Sequence, residues 1–242
     1  MKIALIGYGK MGKEIEKIAL SRGHTIVLKV DMDNAHSYAT GDLKKADAAI
    51  EFSTPESAIN NIYKCFEAEV PVVVGTTGWQ DNLEEVKQKC KEKNQALFYA
   101  SNYSIGVNLF FKLNDVLAKM MNRYPEYNVS MEEIHHVHKL DAPSGTAITL
   151  ANQVIGQIKS KQKWVNNSTT NANELSIISK RIDEVPGTHT VTYGSAVDEI
   201  SITHIAHNRK GFALGAVIAA EWLAGKKGVF GMNDLMENNP SC

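Results

Sequence analysis

This 242-residue sequence predicts an α/β fold with a parallel sheet, followed by a second domain of α+β type. Three observations predict it. Over the first hundred residues, short apolar runs alternate with helix-length segments, as in a parallel sheet covered by helices. The first run passes straight into Gly7-Tyr8-Gly9-Lys10-Met11-Gly12, and an acid, Asp31, follows about 20 residues later at the end of the second run. From Ser104 onward the alternation stops and strand-like runs gather together, the grammar of a separate α+β domain.

The expected strands of the first region are Lys2–Ile6, Thr25–Val30, Ala48–Phe52, Pro71–Val74 and Ala96–Tyr99, each a short apolar run suited to burial on both faces. Helices fit between them at Met11–Ser21, Pro55–Glu67 and Asn82–Lys93. Thr54-Pro55 reads as an N-cap with proline at the first helical position, and Asp81 with Glu84 as a capping box. Beyond Ser104 an amphipathic helix is expected over Val107–Asn122, stopping before Tyr124-Pro125. A strand is expected at Tyr127–His135 and a helix from Thr146 to Ile158. The polar stretch Lys159–Asn173 reads as a mobile loop, and strands follow at Leu175–Arg181, His189–Tyr193 and Glu199–His207. Ala213–Leu223 and Met232–Met236 are again helical.

Composition narrows the function classes. Apolar content of 43% with 22% charged residues is ordinary for a globular protein, and 26 basic against 27 acidic residues leave no footprint for nucleic acid or an anionic membrane. Cys65, Cys90 and Cys242 are odd in number and far apart, which favours a reduced, cytoplasmic setting over a disulfide framework. The start has no long apolar targeting segment. Phe212–Ala224 contains Glu221 and is too short to cross a bilayer.

The glycine segment has the context that dinucleotide binding requires, since it follows the first strand and opens a helix. Gly7 permits the tight turn, Gly9 lets backbone approach a pyrophosphate, and Gly12 lets helix pack on strand, with Tyr8, Lys10 and Met11 between them. This makes the first domain Rossmann-type. Asp31 would accept from ribose hydroxyls and repel a 2′-phosphate, which favours NADH slightly over NADPH, while Lys10 and Lys29 are cations that soften the preference. Gly75, Thr76 and Thr77 follow the fourth strand, and Ala100, Ser101, Asn102 and Tyr103 follow the fifth. Both lie at carboxyl ends of strands, where such sheets bind ligands.

His135-His136-Val137-His138-Lys139 puts three imidazoles and an ammonium within five residues, ahead of a Pro143-Ser144-Gly145-Thr146 turn that opens an apolar-periodic helix. Groups able to move protons near neutral pH thus stand beside a helix N-terminus that attracts anions. If the strand runs on through the segment, His135, Val137 and Lys139 share one face and His136 and His138 the other. Zinc bound by His136 and His138 lacks a third ligand that the sequence identifies. A merely solvated strand leaves the turn unexplained. Proton transfer by His135 and Lys139, with the N–H groups of Gly145 and Thr146 and the Thr146 hydroxyl clamping a carboxylate, accounts for both features, and calls for no metal. Glu132 and Glu133 either orient an imidazole or face solvent.

The segment Glu133-Ile-His-His-Val-His-Lys-Leu-Asp-Ala-Pro-Ser-Gly-Thr-Ala147 resembles the 4-hydroxy-tetrahydrodipicolinate (dihydrodipicolinate) reductase family, as do Glu51–Glu56, Gly75–Gly78, Ser101–Asn108, Phe212–Ala216 and Trp222–Gly225. The resemblance implies a dinucleotide-binding domain over 1–103 and 214–242 and a substrate-binding and oligomerisation domain over 104–213. It implies NAD(P)H-dependent reduction of 4-hydroxy-tetrahydrodipicolinate in diaminopimelate and lysine synthesis, by a homotetramer. It makes His135 the general acid/base and Lys139 the proton donor, and assigns a cyclic dicarboxylate to His136, Ser144, Gly145 and Thr146. It leaves a role for Arg181 open. Two alternatives share the fold class. Another two-domain oxidoreductase, such as a semialdehyde dehydrogenase, needs a thiol nucleophile, yet Cys65 and Cys90 fall in amphipathic helices. A non-catalytic dinucleotide sensor needs neither His135 nor Lys139.

Overall fold

A computed structural model describes residues 1–208 and 210–237, so the end of the expected first domain, with Cys242, lies outside the described residues. The chain divides into two compact units, residues 1–105 with 210–242, and residues 106–209.

The first unit is a six-stranded parallel sheet. Its strands are β1 (Lys2–Ile6), β2 (Thr25–Val30), β3 (Ala48–Glu51), β4 (Val72–Val74), β5 (Ala96–Tyr99) and β11 (Gly228–Phe230), in the order β11-β5-β4-β3-β1-β2. Direction of winding reverses between β1 and β3, which makes the crevice beyond their carboxyl ends the expected ligand position. One face packs Ile3, Leu5, Ile50, Val73 and Phe98 against α1 (Lys10–Ser21) and α7 (Lys210–Leu223). The other packs Ala4, Ile6, Ala49, Val72 and Val74 against α3 (Pro55–Glu67) and α4 (Leu83–Glu92). Burial on both faces is why the central strands β1, β3, β4 and β5 read as nearly continuous apolar runs. A short α2 (Thr40–Leu43) bridges β2 and β3, and α8 (Met232–Glu237) closes the unit.

The second unit carries a five-stranded mixed sheet, β10-β9-β6-β8-β7. Its strands are β6 (Asn128–His135), β7 (Lys163–Val165), β8 (Glu174–Arg181), β9 (Thr188–Gly194) and β10 (Glu199–Ile205). One face is covered by α5 (Ile105–Met121) and α6 (Gly145–Gln157), with Phe110, Met121, Leu150 and Val154 meeting Val129, Met131, Ile177 and Val191.

Several expectations need correction. Asp81 and Glu84 form no capping box. Asp81 sits inside a 3₁₀ turn, Gln80–Asn82, and α4 starts after Asn82 without a side-chain cap. Thr54 holds the N-cap position of α3, but its hydroxyl meets Ser57 Oγ rather than a helix N–H. The loop expected at Lys159–Asn173 contains β7, paired in parallel with β8. β7, β11 and α2 have only three or four residues each, too few to show a period. Strand β6 stops at His135, so residues 136–139 do not continue its alternation. Residues 210–213 begin α7 in the first unit, and 104–105 also stay there, so the division falls at 105/106 and 209/210 rather than 103/104 and 213/214.

Candidate active site

Two constellations matter, one in each unit. In the first, the Gly7–Gly12 turn joins β1 to α1. Gly7 has φ +92°, and a Cβ there would lie 2.0 Å from the Phe52 carbonyl oxygen. A Cβ on Gly12 would lie 2.4 Å from the Gly7 carbonyl oxygen, whereas one on Gly9 meets nothing within 4 Å. The three glycines therefore divide into turn, open approach and close packing. α1 has no side-chain cap and no acid in its first turn, so the leading N–H groups, those of Lys10 and Met11 included, remain available to an anion. Beside the turn lies a cavity of about 430 Å³ lined by Gly7, Tyr8, Gly9, Asp31, His36 and Asn61 among others. This cradle fits a dinucleotide.

The other residues expected around that ligand divide in two. Asp31 is exposed at the cavity, where its Oδ1 accepts from the Met32 N–H. Ala100 is half-buried and Ser101 and Thr77 are exposed, while Asn102 is half-buried with its Oδ1 accepting from the Ser104 N–H. Thr76 and Tyr103 turn their side chains inward. Thr76 is buried with its hydroxyl accepting from Ser53 N–H at 2.8 Å. Tyr103 is buried, donates to the Val74 carbonyl at 2.7 Å and stacks near Phe52 and Phe98, so its side chain is a core anchor. Only glycine fits at position 75, because the Phe52 ring lies where a Cβ would be. Beneath the crevice Glu51 is fully buried, accepting from the hydroxyl and N–H of Ser53 and from Asn61, and burial pushes its carboxyl up from the ordinary range. Lys29 is committed to Glu16 at 2.6 Å and lies over the Tyr8 ring at 4.8 Å, while the Tyr8 hydroxyl donates to Glu16.

In the second unit, β6 alternates Val129, Met131, Glu133 and His135 onto its buried face. The apolar stripe thus ends in an acid and an imidazole. His135 Nδ1 stands 2.7 Å from Glu133 Oε2; neither atom has another partner, and the approach is an ion-pair contact rather than an aligned hydrogen bond. Glu133 lies opposite His189 across the antiparallel β6–β9 pair, and His135 opposite Arg181 across the parallel β6–β8 pair. Arg181 Nη2 donates to Glu133 Oε1 at 3.0 Å and to the Asp141 carbonyl at 2.7 Å. The His189 ring stands edge-on to His135 with centroids 5.1 Å apart, and its Nε2 lies 3.1 Å from Ser144 Oγ. Burial would raise the Glu133 carboxyl, but the polar side chains of His135, Ser144, Ser179 and Arg181 around it more than offset this and hold it well below the usual carboxylate range. Burial, reinforced by His135, pushes His189 down to about 4, so it is a neutral imidazole at pH 7.

The turn after β6 brings the remaining residues. Lys139 is bound by both oxygens of Asp141, at 2.7 and 2.9 Å. His136 is half-buried, and its carbonyl accepts from the Lys139 N–H. Ser144 caps α6, its Oγ accepting from the Ala147 N–H, so that hydroxyl serves the turn and His189. Gly145 and Thr146 supply the first two N–H groups of α6, which no helix carbonyl matches, and open space lies where a Gly145 Cβ would be. The exposed His138 meets Glu184 and stays outside the cluster. His136 and His138 have ring centroids 6.1 Å apart, and the described group with metal-ligand spacing is instead Glu133, His135 and His189. Glu133 and His189 are the residues that the spacing of the histidine motif does not reveal. Strand alternation reveals both, since each shares its face with core residues.

Comparison with known proteins agrees with this geometry. Residues 1–103 match the family described as dihydrodipicolinate reductase, N-terminus, and residues 106–236 match dihydrodipicolinate reductase, C-terminus. A 4-hydroxy-tetrahydrodipicolinate reductase of Christiangramia forsetii is 50% identical over 98% of both chains. One of Neisseria meningitidis serogroup B is 32% identical over 93% of this chain and 84% of its own. The fold matches a dipicolinate-bound dihydrodipicolinate reductase from Paenisporosarcina sp. TG-14, with TM-score 0.77 and 22% identity over 96% and 97% of the two chains. Matched in both halves and half identical to a relative over nearly its whole length, the chain belongs to the dihydrodipicolinate reductase family.

Proposed function

We propose how this oxidoreductase divides the reduction of 4-hydroxy-tetrahydrodipicolinate, its family's activity, among its own residues. The observation that carries the reading is the buried Glu133–His135 pair, in one compact unit with a helix start whose first N–H groups are unmatched. Gly145 and Thr146 donate to a substrate carboxylate, helped by the Thr146 hydroxyl and His136. His135 is the acid/base, and Lys139 gives the proton that completes the product. The solved relative's bound dipicolinate supports a cyclic dicarboxylate here. Gly7–Gly12, Asp31, Gly75, Thr77 and residues 100–102 hold NADH or NADPH, which supplies the hydride when bound. NADH is preferred: Asp31 lines the cavity, and Lys29 is neutralised by Glu16.

We further read the protein as a cytoplasmic homotetramer. Buried, unpaired Cys65 and Cys90 support a reducing compartment. The edge strand β10, with exposed Ile200 and Ile205, supports association. The test is loss of NADH or NADPH absorbance on adding freshly generated substrate. Turnover with a lower KM for NADH is expected; dinucleotide binding without turnover would overturn the assignment in favour of a sensor.

A further inference from the structure

The assigned chemistry leaves a buried acid and its half-buried partner without a task. Glu133 is fully buried, and Arg181 reaches it from the neighbouring strand β8. Taking a carboxylate out of water is costly unless it is paired, so an acid at the end of an apolar stripe needs a compensating role. Glu133 uses one oxygen toward His135 Nδ1 and the other toward Arg181. The same Arg181 nitrogen also donates to the Asp141 carbonyl, and the Asp141 carboxylate holds Lys139. A continuous chain of contacts thus runs from His135 through Glu133, Arg181 and Asp141 to Lys139.

We propose that Glu133 and Arg181 are positioning residues: Glu133 keeps the proton of neutral His135 on Nδ1, and Arg181 ties that carboxylate to the turn that carries Lys139. A carboxylate can only accept, so its contact with Nδ1 is favourable when that nitrogen carries hydrogen, which leaves Nε2 as the working atom. With His135, Ser144 and Ser179, Arg181 helps keep the acid ionised inside the protein, and its planar group reaches the strand partner and the Asp141 backbone together, which a lysine does less well. His189, neutral and edge-on, adds no competing charge.

The inference rests on His135 being the acid/base. Its test compares Glu133→Gln, Arg181→Lys and His135→Gln in the intact protein, with kinetics and ¹⁵N NMR of the imidazoles recorded where they are neutral. In the wild type, the His135 signals should report hydrogen on Nδ1. E133Q, whose amide can donate to Nδ1, should shift the ring toward the Nε2–H form and lower kcat roughly 10- to 1000-fold. Its KM for NADH should stay within about twofold, because the dinucleotide cradle is untouched. R181K should fold, keep the His135 tautomer, and raise the substrate KM as the Lys139 turn loosens. An unchanged tautomer and kcat in E133Q, with H135Q inactive, would overturn the positioning role alone. Wild-type turnover in H135Q would overturn the acid/base assignment instead. If E133Q fails to fold, wild-type kinetics in R181K would overturn the link to Lys139.

Discussion

A Cβ placed on Gly187 would lie 3.1 Å from Nε2 of His135, the nitrogen that does not face Glu133. Gly187 also has φ +154°, where a side chain is strained. Gly187→Ala should therefore crowd the working atom and distort the turn into β9. The expected result is a fall in kcat of about tenfold or more, with a stability loss of about 1–3 kcal/mol. Turnover and melting temperature measured together check it, and unchanged turnover would remove Gly187 from the site.

His135→Gln keeps a polar side chain of comparable reach but cannot shuttle protons. Its kcat should fall roughly 10²–10⁴-fold while NADH affinity is preserved. Fluorescence titration of NADH alongside single-turnover kinetics separates the two quantities.

Gly12 touches the Gly7 carbonyl so closely that even one methyl group must move the helix off the strand. Gly12→Ala should weaken both cofactors by at least tenfold, about 1.4 kcal/mol, and lower the melting temperature. Dinucleotide binding by calorimetry is the direct measurement.

Cofactor choice should respond at two positions. Asp31→Ala should reduce discrimination against NADPH. Glu16→Gln should free Lys29 from its 2.6 Å ion pair and lower the KM for NADPH relative to NADH. The ratio of kcat/KM for the two cofactors reads both, and an unaltered ratio in Asp31→Ala would refute the ribose argument.

His189 makes stability depend on pH. Its ordinary value of 6.5 is lowered to about 4 by burial and by His135, so the unfolded chain takes up a proton that the native state refuses. The contribution is fully present above about pH 6.5 and is lost as pH falls toward 4, a change of about 3 kcal/mol at most. Glu133, held low, adds its own loss only below the ordinary carboxylate range. Urea denaturation at pH 7 and pH 5 should show a clear drop for the wild type and a smaller one for His189→Asn.

Much of the fold was legible in the sequence. Strands β1 and β5 fall where the apolar runs place them, because a strand buried on both faces leaves few polar interruptions, and β2 and α3 fall at their expected bounds as well. The glycine offsets announced Gly7 and Gly12 correctly for the same local reason, the absence of a Cβ. Capping at Asp81 and the loop at Lys159–Asn173 were misread. Side-chain oxygens near a helix start do not say which one the backbone reaches, and β7 is held by pairing with β8 rather than by its own pattern.

The candidate site divides in the same way. By itself the sequence determined which chemistry is present: imidazoles, an ammonium and a capped helix start packed into a dozen residues, after a dinucleotide-binding turn. Those are local facts, written in spacing. Only the tertiary structure decided what stands against His135. Pairing of β6 with β8 and β9 brings Arg181 and His189, more than 40 residues away in the chain, to Glu133 and His135, while β6 ends in time to leave His138 in solvent. Register between strands is set by the packing of the whole sheet, and no short stretch of sequence carries it.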